Sequence, residues 1–305
     1  MRTLISAGVN VNAVCGKVGT ALQAAASSGR RDDVKLLLSH RADINIVGGE
    51  YGTALQAAAY RGEEDIVKLL LSYGADINIV GGAYGTALQA ACYQGKNDVV
   101  QILIKSGADV NATGGPRGTA LYAAASKGYG DVVKLLLSYG AHIDTIAGEF
   151  GTALYAAASE GYGDIVKLLL SHGADVNIVG GQYGTALLAA CIATYFSYKR
   201  DEATFHSGIV AIVNMLIKSG ADVNAKSTRV KLTALEAASF GRKCDIVQIL
   251  LRSGAKVTSY QLWEAWTYAK DPVLIEMLLD AGATGLDENQ VNNAHWASQE
   301  LKAKA

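Results

Sequence analysis

The tetrapeptide Gly19-Thr20-Ala21-Leu22 returns at residues 52–55, 85–88, 118–121, 151–154 and 184–187, each time 33 residues after the last. A diverged copy, Leu232-Thr233-Ala234-Leu235, follows after 48. A fixed period of this length specifies one supersecondary unit stacked many times, because a unit so small cannot bury its apolar face alone.

The second full copy can be read residue by residue. Thr53 is a good N-cap and Gln56 stands three residues later, the pattern of a capping box in which both side chains satisfy free amides at a helix start. The pair recurs as Thr20/Gln23, Thr86/Gln89 and Thr233/Glu236. Leu55, Ala57, Ala58 and Ala59 make a short helix whose small side chains let neighbours approach closely. Gly62 ends it, where a left-handed residue is easiest for glycine. Asp65 opens a second helix at its positive end, and Ile66, Val67, Leu69, Leu70 and Leu71 supply the buried stripe. Gly74 closes that helix. The segment 76–80 then runs into Gly81-Gly82, a tight-turn signal between extended arms. Helices of about ten residues are marginal alone in water, so each copy needs the copies beside it.

Together the period, the Thr-x-Leu start, the Ala pair, the Ile-Val-x-x-Leu-Leu run and the Gly-Ala-Asp-Val-Asn ending resemble the ankyrin repeat. Asn12, Asn45, Asn78, Asn111, Asn177 and Asn224 match the family's terminal asparagine. The resemblance implies an all-α solenoid with short β-hairpin fingers, an open curved stack. Residues 1–15 are a partial repeat, 16–180 five regular repeats, 181–228 a repeat with an insertion at about 192–208, 229–257 a diverged repeat, and 258–305 capping helices. The family usually reads Thr-Pro-Leu-His. Here Ala replaces Pro, and Gln, Tyr or Leu replaces His, so the inter-repeat hydrogen bonds of that His must be rebuilt. The Gly-Gly-x-Tyr-Gly-Thr turn is similar in style to fungal arrays, many of which trail a NOD-like signalling ATPase.

Three stretches depart from the pattern. The chain starts mid-repeat, which reads either as a piece of a longer array or as a short protein whose stub serves as a cap. The sixth full repeat carries about 14 extra residues, with Tyr195, Phe196, Tyr198 and Phe205 among them. A long loop there is either functional or a surface insertion tucked onto its neighbour. Trp263, Trp266 and Trp296 all fall in the last 43 residues and are expected to seal the end of the stack.

Chemistry finds little footing. A net charge of -1 without a basic stripe argues against nucleic acid as a partner. No apolar run approaches the roughly 20 residues of a membrane span, and no signal peptide is visible. Together with free thiols, this implies a cytoplasmic or nuclear protein. Cys92 and Cys191 stand where sister repeats carry alanine and read as small packing residues. The histidines lack metal-ligand spacing and the Gly-Gly turns lack the Gly-Lys-Ser/Thr of a phosphate loop. Asp65, Asp98, Asp131 and Asp164 repeat with the period, which marks them as helix-start residues. No cofactor, no metal and no enzymatic activity are expected.

Positions that vary within a periodic scaffold are freed from packing and become candidates for recognition. One row follows the alanines: Tyr60, Arg61, Tyr93, Gln94, Lys127 and Glu160. Another lies in the fingers: Tyr51, Tyr84, Arg117, Phe150 and Tyr183. Tyr122 and Tyr155 replace the capping Gln and could add to the same groove. The resemblance places both rows on the concave side, where the family usually grips a protein partner. Tyr and Arg suit that role because they combine large contact area with directed polar groups. The finger tyrosines could equally pack on the next finger. The expected function is a protein-interaction module, as a monomer or as part of a larger polypeptide. The alternatives are an enzyme or small-molecule site built from the insertion and the C-terminal cap, where His206 and His295 lie, and a structural spacer.

Overall fold

The computed structural model describes residues 8–115, 118–146, 151–193, 202–227, 229–257 and 271–282, with Trp296, Ser298 and Gln299. The chain forms two compact units, residues 1–153 and 154–305.

In the first unit, helices pair off along the chain. Helix α1 (Ala21–Ser27) precedes α2 (Arg31–Ser39), α3 (Ala54–Arg61) precedes α4 (Glu64–Ser72), α5 (Ala87–Tyr93) precedes α6 (Asn97–Lys105), and α7 (Ala120–Ala125) precedes α8 (Gly130–Ser138). The odd-numbered helix packs on its successor in the next repeat, α1 on α3, α3 on α5 and α5 on α7. Leu22, Leu55, Leu88 and Leu121 are fully buried there, and the alanines between them leave no space to fill. The even-numbered helices bury only one stripe, such as Ile66, Val67 and Leu70 of α4. Their first turns carry Asp32, Asp33, Glu64, Asp65, Asp98 and Asp131, at the end where the helix dipole favours negative charge.

What ties one repeat to the next is polar. Thr20, Thr53 and Thr86 each complete a capping box with Gln23, Gln56 and Gln89. Each Gln is also a bridge. Gln23 Nε2 donates to the Ile46 carbonyl at 2.8 Å and to that of Gly52 at 2.6 Å, both in the following repeat. Gln56 does the same to Ile79 (2.8 Å) and Gly85, and Gln89 to Ala112 (3.1 Å) and Gly118 (2.5 Å). The glutamine amide thus rebuilds the link that the missing histidine would have made. A second strap is the terminal asparagine. Asn12, Asn45, Asn78 and Asn111 accept from the backbone N–H of Asp43, Asp76, Asp109 and His142 at 2.7–2.9 Å.

The fingers are slighter than hairpins of strand. Each is closed by a single antiparallel pair, Cys15 with Gly19, Gly48 with Gly52, and Gly81 with Gly85. They stack edge to edge, Glu50 N–H donating to the Lys17 carbonyl at 2.9 Å and Ala83 N–H to that of Glu50 at 2.7 Å. The stacking accounts for the Gly-Gly pair. A Cβ on Gly82, whose φ is +60°, would stand 2.3 Å from the Tyr51 carbonyl carbon.

In the second unit, α9 (Ala153–Glu160) starts at the boundary and is followed by α10 (Gly163–Ser171), α11 (Ala186–Ala193), α12 (Glu202–Lys218), α13 (Ala234–Phe240), α14 (Cys244–Arg252) and α15 (Pro272–Asp280). Asn177 and Asn224 continue the asparagine strap to Asp222 and Lys256, each at 2.8 Å. The inserted stretch is not all loop. Helix α12 has 17 residues where α10 has nine, so the insertion lengthens the second helix at its start. Phe205 on this extension lies against Gly161, where an added Cβ would meet its ring at 2.5 Å. The other three inserted aromatics lie outside the described residues. Asp271 caps α15 by accepting from Val273 and Leu274 N–H, with Pro272 at the first helical position. Trp296 is 60% exposed, contrary to its expected place in a seal. Trp263 and Trp266 lie outside the described residues. Among those residues no helix is long and apolar enough to cross a membrane.

Cys92 and Cys191 are fully buried, and burial pushes the first thiol far up and the second up to about 12. Cys15 is exposed. Titration with an aromatic disulfide reagent at about pH 8 is expected to modify Cys15 in the native protein, with Cys92 and Cys191 reacting only on unfolding. Replacing Gln56 by Ala leaves carbonyls of the next finger unpaired, at a cost on the order of 1–3 kcal/mol for a buried unsatisfied group. Urea denaturation followed by circular dichroism is expected to show this loss.

Candidate partner-binding surface

Helix α3 ends at Arg61 because Gly62 turns left-handed at φ 84°, and this leaves Tyr60 and Arg61 in its last turn. Tyr93 is the last residue of α5 one repeat on, followed by Gln94 at the cap. The fingers bring Tyr51 and Tyr84 alongside. The result is a ladder of rings running across repeats. Tyr51 lies 5.2 Å from Tyr60 and stacks on Tyr84 at 6.2 Å. Tyr84 lies 4.3 Å from Tyr60 and 5.5 Å from Tyr93. These centroid distances are those of direct aromatic packing.

Burial divides the ladder. Tyr84 is only 7% exposed and forms its spine, while Tyr51, Tyr60 and Tyr93 are half-buried and present part of each ring outward. A cation sits at each end. Arg61 places Cζ 5.8 Å from the Tyr51 centroid and 5.9 Å from that of Tyr60. Lys127 places Nζ 4.6 Å from the centroid of Tyr93. All three distances fall within the reach of a cation over a ring face.

Six of the residues singled out from sequence therefore meet in one place: Tyr51, Tyr60, Arg61, Tyr84, Tyr93 and Lys127. For Tyr51 and Tyr84 the two sequence readings merge, since finger packing is what assembles the ladder. Gln94 caps the end of α5 and is half-buried. Tyr122 is half-buried at the start of α7, its N–H donating to Thr119 Oγ1 at 3.0 Å. Tyr155 is a correction to the groove expectation. It is 6% exposed, and its hydroxyl accepts from Tyr183 N–H at 3.2 Å, so it spans to the next finger as the glutamines do. Burial pushes its phenol up to about 12. Tyr183 is half-buried beside it, and Glu160 is exposed at the end of α9. Arg117 and Phe150 lie outside the described residues.

Sequence reasoning passed over Tyr129, whose ring covers the turn at Gly95, where an added Cβ would meet it at 2.5 Å. The signal was present: Glu63 covers Gly29 and Lys96 covers Gly62 from the same slot in their repeats.

The second unit holds one compact polar pair. His206 Nε2 lies 2.7 Å from Asp245 Oδ2, joining the extended start of α12 to α14. The adjacent thiol, Cys244, is raised by burial and by the carboxylates of Asp271 and Asp245, the opposite of what a nucleophile needs. Its arrangement is that of a tie between helices. His295 lies outside the described residues. Among the described residues no group of three His, Cys, Asp or Glu side chains gathers as a metal site would.

Comparison with known proteins agrees with the repeat geometry. Residues 1–81, 55–147 and 88–180 match the family described as ankyrin repeats (3 copies), so that the matched stretches cover more than half of the chain. The crystal structure of the human ASB11 ankyrin repeat domain superposes with a TM-score of 0.62 at 27% sequence identity, covering 77% of this chain and 98% of that one. No curated protein matches in sequence at a significant level.

The division of the ladder has a measurable consequence. Tyr84→Ala removes a buried ring from among three others and is expected to cost about 3 kcal/mol. Arg61→Ala, at the exposed end, is expected to stay within about 0.5–1 kcal/mol. Urea melts of the two variants separate the structural ring from the surface cation.

Proposed function

The chain belongs to the ankyrin-repeat family, and from that premise we propose that it is a protein-interaction scaffold whose partner is gripped on the face made by the first helices and the fingers. The observation that carries the reading is the tyrosine ladder with its two terminal cations. Ankyrin repeats are in general protein-binding modules, and Tyr and Arg are the residue types that dominate interface energetics. A ring held by neighbouring rings loses little freedom when it is covered, so the ladder is ready for contact before a partner arrives. Residues of the first unit outside the ladder, Gln94 and Tyr122, add polar contacts at its margin. A pure spacer needs only a uniformly polar face, and half-buried aromatics flanked by cations serve no such role. The reading assigns no enzymatic activity: among the described residues no activated nucleophile stands beside the His206–Asp245 pair. Action as a monomer or as one arm of a longer polypeptide, in cytoplasm or nucleus, fits the same reading.

Capture from native lysate, quantified by mass spectrometry against the parent chain, tests this. Tyr60→Ala with Tyr93→Ala is expected to lower recovery of the specific partner by about tenfold or more, while the chain still unfolds cooperatively with its melting temperature down by a few degrees. Tyr73→Ala with Tyr139→Ala, which alters exposed tyrosines at the ends of α4 and α8, is expected to leave recovery unchanged. The reverse pattern would move the binding surface to the second helices.

A further inference from the structure

The ends of the ladder differ from its middle in charge, and the difference bears on what a partner must carry. Four exposed cations of the first unit are met by carboxylates, Arg30 by Asp33, Arg31 by Asp65, Lys68 by Glu64 and Lys134 by Asp131, while the exposed Lys17, Lys35, Arg41 and Lys105 have no carboxylate at ion-pair distance among the described residues. Arg61 and Lys127 are exposed too, and among the described residues neither has a carboxylate at ion-pair distance; each lies over a tyrosine ring instead. A ring face attracts a cation but accepts few of its hydrogen bonds. A guanidinium lying over a ring keeps its N–H donors at its edge, in the fork that matches a carboxylate. The ring also restrains a long side chain, so less freedom is lost when a partner pairs with it. The rings pack directly on one another, 4.3–6.2 Å apart, and form no open cage for a ligand to enter. A partner therefore meets ring edges and the two cations. With a net charge of -1 the chain as a whole exerts no general pull on anions, so the attraction is local to this face.

We infer that the partner contributes an extended acidic segment, one carboxylate forking onto Arg61, a second on Lys127, and an apolar or aromatic residue between them against Tyr60 and Tyr93. The inference rests on reading this face as the partner-binding surface. At about 3.3 Å per extended residue, some five to seven residues span the ladder. Glu50, exposed in the same finger as Tyr51, carries the wrong sign to help, and Glu50→Gln leaves binding unchanged or tighter.

The test is selection of random short peptides displayed on phage against the immobilised full chain. R61E/K127E and R61Q/K127Q serve as counter-targets, the neutral pair guarding against a folding defect from charge reversal, and both are checked by thermal melting. Peptides whose binding falls about tenfold or more on both variants are expected to be enriched in Asp or Glu at two positions about five residues apart. Their binding is expected to weaken steeply between about 50 and about 300 mM salt. Peptides that need Tyr60 and Tyr93 but show no acidic enrichment overturn the charge assignment and leave the surface reading standing. A library whose binders survive Tyr60→Ala/Tyr93→Ala, or that yields no binder, overturns both.

Discussion

A buried glutamine amide holds this fold together. Helices of six to nine residues cannot persist singly in water, and apolar contact alone would let neighbouring units slide. The amide of Gln56 removes that freedom, because its oxygen accepts from Thr53 N–H while its nitrogen donates to Ile79 and Gly85 of the next repeat. One side chain closes a helix start and fixes the adjoining finger. The side chain is 1% exposed, so each of those bonds lies where an unmade one is costly. Where the residue changes, the link changes with it. Tyr155 reaches the next finger through a hydroxyl, and Glu236, as a carboxylate, closes its own cap at Thr233 but has no N–H to offer onward.

Local chemistry explains why so much of the fold was legible. Capping boxes, glycine stops and the acidic first turns depend on residues within one repeat, and the 33-residue register repeats them often enough to be unmistakable. Legibility ended where a side chain's surroundings come from another repeat. Tyr155 and Tyr122 occupy equivalent positions, yet one is buried against Tyr183 and the other half-buried. No periodicity within a single copy distinguishes them. The inserted stretch misled for a related reason. Its length suggests a loop, but Glu202 onward continues the register of α12, and a helix already anchored by packing extends at little cost.

The tyrosine ladder follows from the same stacking. Fingers held edge to edge by Glu50 and Ala83 amides set the spacing of Tyr51 and Tyr84, and α3 and α5 set that of Tyr60 and Tyr93. The side chains of the ladder are thus carried on two elements per repeat, which is how a module of such short pieces can present a defined surface. In the first unit the row that follows the alanines carries serine at 27, 28 and 126, and its aromatic residues gather in the middle repeats.

The glutamine and asparagine straps between repeats address main chain. Gln23, Gln56 and Gln89 seek carbonyls, and Asn12, Asn45, Asn78 and Asn111 seek amide hydrogens, groups that every copy supplies whatever its variable residues are. A gene encoding such units can gain, lose or exchange whole modules by unequal recombination, and the junctions will still find their bonds. Recognition can then diversify by copying and swapping, without renegotiating how the copies adhere.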